Sequence, residues 1–395
     1  MKNLSARCIF CLYGIVVVFT LLINKPVIAQ EQKVQNVFII CIDGFRWQEI
    51  FNGADSLLIN NPDYVKDTAL TKEQFWADST GERRRLLMPF LWDIIAKKGQ
   101  LYGNEVYDNK VSTKNFFGIS YPGYSEMLSG HTDPLLVPDL PIDNRNSNVL
   151  EYLEEQPQYE GRVAAFTSWN IFPFIFNKKK THFFINSGYK KTLVDNSDSS
   201  VAINDVQRDV QRKKNTRYDL LTFMNAKEYL STQHPKVLFL GFGETDLFAH
   251  ANRYDLYLQQ ANNIDKMMYE LWYYVQTDQF YKNNTTFIIT TDHGRGEYPS
   301  TWHDHNTFIK GSNQTWLALL GPNIAAHGEI KLKQQLYEEQ IASTIMMLLG
   351  ETDDIGNYMA KPILTTGNSD KTNSTNKAML LSSMVTGNNI EEIRK

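Results

Sequence analysis

The sequence has 395 residues, 42% of them hydrophobic and 12% aromatic, so the chain can bury a large core and is not an intrinsically disordered protein. Its formal net charge of −4 argues against binding to nucleic-acid duplexes, because polyanions need a basic surface. Cys41 is the one cysteine beyond the N-terminal segment, so no disulfide is expected in the mature chain and Cys41 is interpreted as a core residue.

The N-terminal segment has the pattern of a secretory signal peptide. Lys2 and Arg7 precede an apolar run from Ile9 to Ile23, and small residues follow as far as Ala29. The run is short for a membrane span, and no later segment is apolar enough to form one. We therefore predict a signal peptide over residues 1–29, cleaved near Ala29, and a periplasmic or secreted protein. A retained N-terminal anchor is the alternative.

Short apolar runs rich in β-branched residues are predicted to be strands. They lie at Val37–Ile42, Val163–Thr167, Val237–Phe242, Thr286–Thr290 and Trp316–Leu320. Helical spacing of apolar residues predicts helices between them, at Leu86–Lys98, Val149–Glu155, Tyr218–Leu230, Arg253–Val275 and Leu336–Leu349. Strands without polar alternation, separated by helices, indicate an α/β fold in which a mostly parallel sheet is sandwiched between helices.

The pattern predicts one folded domain over residues 30–364. Clusters of lysine, serine and asparagine at about 177–217 indicate a polar insertion or lid over an edge of the sheet. Residues 365–395 are rich in serine, threonine and asparagine, and they are interpreted as a polar C-terminal tail.

Three of the predicted strands end in an acid. Asp43 follows the first strand, Asp246 the third and Asp292-His293 the fourth. Because ligands of such folds bind beyond the carboxyl ends of the strands, we expect these side chains to meet. His250 follows Asp246 by four residues, so a helix would place both on one face. The alternative is that Asp246 caps the helix and His250 is merely exposed on it.

The segment Trp302-His303-Asp304-His305-Asn306 adds two imidazoles near the same edge. Carboxylates and imidazoles suit zinc or manganese, and two such ions about 4 Å apart can bind the attacking and leaving oxygens of a phosphoryl group. One acid at a strand end is usually a turn or cap residue, but this many at a single edge are hard to explain by capping.

Ser120 is the candidate nucleophile. Pro122 suits the first turn of a helix, so Ser120 is expected just before a helix N-terminus, where free amides favour an anion. A serine activated by a metal ion there could attack phosphorus. The alternative is that Ser120 simply caps the helix over Tyr121–Leu128.

The order of these motifs resembles the alkaline phosphatase superfamily. It is Asp43, then Ser120-Tyr121-Pro122, Asp246-x-x-x-His250, Asp292-His293-Gly294 and a late histidine, over about Val37–Pro322. The branch it resembles most is that of the nucleotide pyrophosphatases/phosphodiesterases and their bacterial relatives. The resemblance implies an alkaline-phosphatase-like fold with two divalent cations, usually zinc with manganese as the alternative. One would be held by Asp43, Ser120, Asp292 and His293, and the other by Asp246, His250 and His305.

The resemblance also implies a function. We expect a phosphohydrolase that cleaves small-molecule phosphate monoesters or diesters through a phosphoserine intermediate. Asn144, in Ile142-Asp143-Asn144, resembles an asparagine that contacts a phosphoryl oxygen in the phosphodiesterase branch; Asn146 is the alternative, and either could instead cap the next helix. The choice of His305 over His303 follows the bacterial form of the Trp302-x-Asp304-His305 motif.

The sequence departs from the family pattern near Ser120. Serine stands where the phosphodiesterase branch usually has threonine, and Gly123-Tyr124 replaces its frequent Asn-His. Tyr124 also stands where sulfatases have an arginine, which disfavours sulfate ester hydrolysis. The alternatives to a hydrolase are a phosphoryl transferase or mutase-like enzyme on the same scaffold, and a metal-containing binding protein without catalysis.

Overall fold

The computed structural model describes residues 35–136, 139–192, 197–351 and 359–363. The predicted signal peptide and C-terminal tail lie outside these residues, and both remain predictions. Within the described residues, no helix combines the length and hydropathy that crossing a membrane requires.

The strands within the described residues are short. They are β1 (Asn36–Ile42), β2 (Gln100–Tyr102), β3 (Asn109–Ser112), β4 (Val163–Thr167), β5 (Phe184–Ser187), β6 (Val237–Phe242), β7 (Thr285–Thr290), β8 (Gln314–Thr315), β9 (Leu317–Leu320), β10 (Gly328–Glu329) and β11 (Gln334–Tyr337). All five predicted strands are therefore confirmed, with ends within one residue of the prediction.

The α-helices cover most of the intervening chain. They are α1 (Trp47–Asn52), α2 (Ser56–Ile59), α3 (Thr68–Phe75), α4 (Thr80–Leu87), α5 (Ala96–Lys98), α6 (Ser120–Ser129), α7 (Val149–Glu154), α8 (Phe172–Ile175), α9 (Asp198–Asp209), α10 (Asp219–Gln233), α11 (Glu244–His250), α12 (Tyr254–Thr277) and α13 (Gln340–Leu349). A π-helix (Leu91–Ile95) precedes α5, and a 3₁₀ turn (Glu105–Tyr107) precedes β3.

The central sheet has eight strands in the order β10-β2-β9-β7-β1-β6-β4-β5. The five strands from β7 to β5 are mutually parallel, and β9 runs antiparallel to both of its neighbours. A smaller sheet has the order β11-β3-β8. The fold is thus α/β with a mostly parallel sheet, as predicted.

Side chains of β1 alternate between two separate cores. Phe38, Ile40 and Ile42 pack with α12 on one face of the sheet, whereas Val37, Ile39 and Cys41 pack with α6 and α13 on the other. Both faces of the strand are therefore buried, which explains its uninterrupted apolar sequence. Cys41 is a buried core residue, as expected.

Two predicted helices start or break differently in the structure. The predicted Leu86–Lys98 helix is interrupted, because Pro89 disfavours a helical conformation at Met88 and α4 ends at Leu87. The predicted Leu336–Leu349 helix begins only at Gln340, because the preceding residues pair with β3 as strand β11.

The segment predicted to be a polar insertion contributes to the sheet. Residues 177–217 include the edge strand β5, which pairs with β4, and helix α9. At its end, the buried guanidinium of Arg217 donates to Asn186 Oδ1 (2.7 Å) and Gln207 Oε1 (3.2 Å). The proposed boundaries of the domain and its insertion remain a prediction.

Candidate metal centre

Three neighbouring strands converge on the candidate site. Strand β1 lies between β7 and β6, so the carboxyl ends of all three point to one edge of the sheet. The backbone amide of Gly44 donates to Asp292 Oδ1 (3.0 Å), and the Thr245 hydroxyl donates to the carbonyl of Asp43 (2.7 Å). The first bond connects the turns after β1 and β7, and the second connects the turns after β6 and β1.

Gly44 allows the turn after Asp43. Its φ is +57°, and a Cβ there would lie 2.7 Å from Nη2 of Arg295 and 2.9 Å from the His293 ring. A larger residue would be strained and would displace both side chains.

The first group of candidate ligands consists of Asp43, Asp292 and His293. All three are buried, and their ligand atoms lie within 4.8 Å of one another. His293 Nε2 is 3.4 Å from Asp43 Oδ1 and 3.6 Å from Asp292 Oδ2. The Ser120 hydroxyl lies 3.1 Å from His293 Nε2 and 3.3 Å from Asp43 Oδ1, so the predicted nucleophile adjoins this group.

The second group consists of Asp246, His250 and His305, with ligand atoms also within 4.8 Å. Asp246 Oδ1 is 3.3 Å from His250 Nε2 and 3.4 Å from His305 Nε2. Asp246 and His250 share one face of α11, as their spacing predicted. The two groups adjoin, because the rings of His293 and His305 stack with centroids 3.8 Å apart.

The buried carboxylates of Asp43 and Asp292 give the site a negative charge that suits divalent cations. Burial raises the pKa of Asp292 well above its usual range, and the neighbouring charge of Asp43 raises it further. Asp292 Oδ2 is buried and has no hydrogen-bond partner among the described residues. Carboxylates this close in a buried site are costly unless a cation neutralises them, so the residues fit a metal centre.

The imidazoles of His293 and His305 are neutral at physiological pH. Burial and the nearby Arg295 charge lower the pKa of His293 to about 3, and burial with the neighbouring His293 lowers that of His305 to about 4. His305 Nδ1 lies 3.1 Å from the carbonyl of Gly118, so donation from Nδ1 leaves the lone pair of Nε2 facing Asp246. Both rings can therefore ligate a metal.

Ser120 is the first residue of α6 rather than its cap. The N-cap position is Ile119, which makes no side-chain capping bond. The interpretation of Ser120 as a simple N-cap is therefore wrong. Gly123 lets the helix approach β7, since a Cβ there would lie 2.2 Å from the carbonyl oxygen of Asp292. Tyr124 donates its hydroxyl to Asp43 Oδ2 (3.1 Å), so the residues that depart from the family pattern support the site directly.

No protein-family model and no curated protein matches the sequence. Among solved structures, the alkaline phosphatase PafA is similar over 85% of this chain and 99% of its own, with a TM-score of 0.54 and 9% identity. A phosphonate monoester hydrolase from Silicibacter pomeroyi is similar over 85% and 77%, with a TM-score of 0.53 and 11% identity. The lipoteichoic acid synthase LtaP from Listeria monocytogenes is similar over 85% and 75%, with a TM-score of 0.52 and 12% identity.

The chain has the alkaline phosphatase superfamily fold. The likeness drawn from the motifs is thereby confirmed at the level of the fold. The assignment to the nucleotide pyrophosphatase/phosphodiesterase branch remains a prediction.

Arg295 is a residue of the candidate site that sequence reasoning missed. Its buried guanidinium contacts Asp246 Oδ1, and it donates to the carbonyls of Gly44 (2.9 Å) and His303 (2.6 Å). Although burial raises the pKa of Asp246, the Arg295 charge lowers it well below the usual range. The sequence shows an arginine directly after Asp292-His293-Gly294, but it does not reveal the direction of the arginine side chain.

Of the two histidines near the late motif, the structure brings His305 into the second group. His303 lies elsewhere: its Nε2 is 3.3 Å from Asp304 Oδ2, and its Nδ1 is buried without a hydrogen-bond partner among the described residues. The role of His305 as a metal ligand remains a prediction.

The two candidate asparagines lie on the loop before α7. Asn144 donates its side-chain amide to Ser125 Oγ (2.9 Å), one turn beyond Ser120, and Asn146 donates to Asp133 Oδ2 (3.1 Å). Neither caps α7, because the cap is Asn148, which accepts from the amides of Leu150 and Glu151. The capping interpretation is therefore wrong for both asparagines, and contact of Asn144 with a phosphoryl group remains a prediction.

Proposed function

We propose that this protein is a secreted or periplasmic phosphohydrolase that uses two divalent cations and Ser120 to cleave small-molecule phosphate esters. The proposal is carried by the position of Ser120 Oγ, 3.1 Å from His293 Nε2 and 3.3 Å from Asp43 Oδ1, at the N-terminus of α6. The alkaline phosphatase fold supports it by analogy.

The chain supplies two ligand sets. Asp43, Asp292, His293 and Ser120 would hold one cation, and the second group would hold the other. When bound, the cations supply Lewis-acid chemistry, lowering the pKa of the serine hydroxyl and stabilising the departing oxygen. Zinc suits these oxygen and nitrogen donors, and manganese is the alternative.

The reaction begins at Ser120. Ser120 loses its hydroxyl proton to solvent, its Oγ bonds to phosphorus, and the bond from phosphorus to the ester oxygen breaks, which gives a phosphoserine and an alcohol once the departing oxygen takes a proton from solvent. Water then cleaves the phosphoserine, which releases the phosphate and restores the Ser120 hydroxyl. The Ser120 hydroxyl donates to Asp43 Oδ1, so one lone pair of its oxygen can face a cation and the other the substrate. Asn144 and the backbone amide of Ser120 are the donors available to a nonbridging phosphoryl oxygen.

The test is Ser120→Ala, assayed with p-nitrophenyl phosphate and bis-p-nitrophenyl phosphate. We expect turnover of both substrates to be lost while elemental analysis still finds two cations per chain. Ser129→Ala, at the other end of α6, is the matched control and keeps its activity. Near-normal turnover in Ser120→Ala would exclude the proposed nucleophile, and a wild-type protein that binds cations but hydrolyses neither substrate would be a binding protein.

A further inference from the structure

The amide next to the nucleophile is already bonded to a carboxylate of the chain. Tyr121, the second residue of α6, donates its backbone N–H to Asp139 Oδ1 (2.9 Å). The first amides of a helix lack partners within the helix and favour an anion. Asp139 thus occupies an anion position beside Ser120.

The backbone of Asp139 has an uncommon conformation. Its φ is +45°, in the left-handed region that non-glycine residues rarely enter, although aspartate does so more readily than most. Residues in such strained conformations often lie at functional sites. Here the strained residue places a carboxylate at a helix N-terminus, beside the candidate nucleophile.

Asp139 also lies within electrostatic reach of both cation groups. Asp139 is solvent-exposed as a residue, but the atoms packed around its carboxyl raise its pKa, the Tyr121 amide lowers it, and the charges of Asp43 and Asp246 raise it. The bond from the Tyr121 amide places the Asp139 carboxylate next to Ser120, where the phosphoryl group would react.

Nearby cations do not neutralise this carboxylate. Within the described ranges, Arg295 pairs with Asp246, Arg145 with Asp133 and Lys179 with Asp143. No ion pair of Asp139 occurs among the same residues, so its charge acts on whatever binds beside Ser120.

We propose that Asp139 determines specificity between phosphate esters. Its negative charge beside Ser120 repels the dianion of a phosphate monoester more strongly than the monoanion of a phosphate diester, because like-charge repulsion grows with the charge of the substrate. This inference rests on the proposed function and deepens it: Asp139 shifts the preference of the site toward phosphate diesters.

The test is Asp139→Asn, which keeps an oxygen to accept from Tyr121 and removes the charge. We measure kcat/KM for p-nitrophenyl phosphate and bis-p-nitrophenyl phosphate at pH 8, where the monoester is a dianion since its second pKa is about 6. The ratio of monoesterase to diesterase activity should rise about tenfold, mainly through the monoester. A purely structural role would change both activities together, and that result, or an unchanged ratio, would overturn the proposal.

Asp143→Asn is the matched control. It removes the same charge from the same loop, but Asp143 is already paired with Lys179 (2.6 Å), so its activity ratio should equal that of the wild type. A change as large as that of Asp139→Asn would mean that net charge, and not the position of Asp139, sets the preference.

A binding measurement separates this inference from the proposed function. Calorimetry on zinc-loaded protein at pH 8 compares the affinity of the wild type and of Asp139→Asn for inorganic phosphate, which is also a dianion. The variant should bind phosphate more tightly, and equal affinities would overturn the role of Asp139. If the wild type hydrolyses neither ester, the proposed function fails, whereas this comparison still decides what Asp139 does.

Discussion

Arg295 partly offsets the cost of gathering carboxylates in the interior. Asp43, Asp246 and Asp292 meet at one edge of the sheet, and Arg295 brings a buried positive charge to Asp246. The same guanidinium joins the turn after β1 to the loop that carries His303. Arg295 therefore stabilises both the charge and the shape of the site.

Replacing Arg295 with methionine should destabilise the cation-free protein more than the zinc-loaded protein. Breaking a buried ion pair costs about 3–5 kcal/mol, because a buried charge is left without its partner. Zinc would then supply the missing positive charge, so the rise in Tm on adding zinc should be larger for Arg295→Met than for the wild type. Thermal unfolding with zinc and with a chelator measures this difference.

Arg217→Met is the control for that experiment. Arg217 is equally buried, but it donates to neutral acceptors on Thr222, Asn186, Gln207 and Thr167. Loss of the Arg217 guanidinium should lower Tm. The rise in Tm on adding zinc should equal that of the wild type. If both arginine variants gave the same rise, Arg295 would have no special link to the cation site.

The short helix α11 depends on a neighbouring helix for its position. Asp219, the first residue of α10, accepts from the amides of Gly243 (2.8 Å) and Glu244 (3.1 Å) at the N-terminus of α11. Ser168 and Gln260 donate to the same carboxylate. A buried carboxylate thereby satisfies the free amides of the helix that carries Asp246 and His250.

Replacing Asp219 with alanine should weaken the second cation site in particular. Groups that orient metal ligands without contacting the metal typically contribute about 10–100-fold to affinity or activity. Asp219→Ala should therefore lose about that factor in affinity for one of the two cations and keep the other, as measured by zinc titration.

Asp67→Ala is the matched control, because Asp67 caps α3 through the amide of Leu70 (2.9 Å) and is exposed. That variant should lose about 1 kcal/mol of stability, the usual cost of an N-cap, with both cation affinities intact. Equal zinc binding in Asp219→Ala and the wild type would contradict the role given to Asp219.

The whole molecule brings together residues that are distant in the chain. Asp43 and Asp292 are 249 positions apart, yet β1 and β7 are neighbours, and Gly44 bonds to Asp292. Helices and apolar cores on both faces of the sheet leave its carboxyl edge for polar side chains. Folding therefore concentrates negative charge at one place, and a cation would relieve it.

Removal of divalent cations should lower the stability of the whole domain. A ligand present at about 100 times its Kd stabilises the folded state by about 2.7 kcal/mol, so zinc should raise Tm and a chelator should reverse the rise. Differential scanning calorimetry checks this, with Asp246→Asn as a variant expected to respond less. Identical Tm values with zinc and with chelator would argue against a cation centre.

Local patterns were sufficient to predict much of this protein. Apolar runs identify the strands because burial on both faces leaves no polar alternation, and an acid at the end of a strand must lie at the carboxyl edge. The four-residue spacing of Asp246 and His250 predicts a shared helix face, which the structure has. Each of these inferences depends on periodicity within a few residues.

Other features were decided only by tertiary contacts. His305 lies beside Asp246 while His303 does not, because the loop is held by long-range bonds such as His305 Nδ1 with the carbonyl of Gly118, and no repeating pattern encodes them. The same reason applies to Arg295 and Asp139, whose partners lie 49 and 18 residues away. Secondary structure and the edge that carries the site follow from local sequence, whereas loop register and side-chain direction depend on contacts that form only when the whole domain folds.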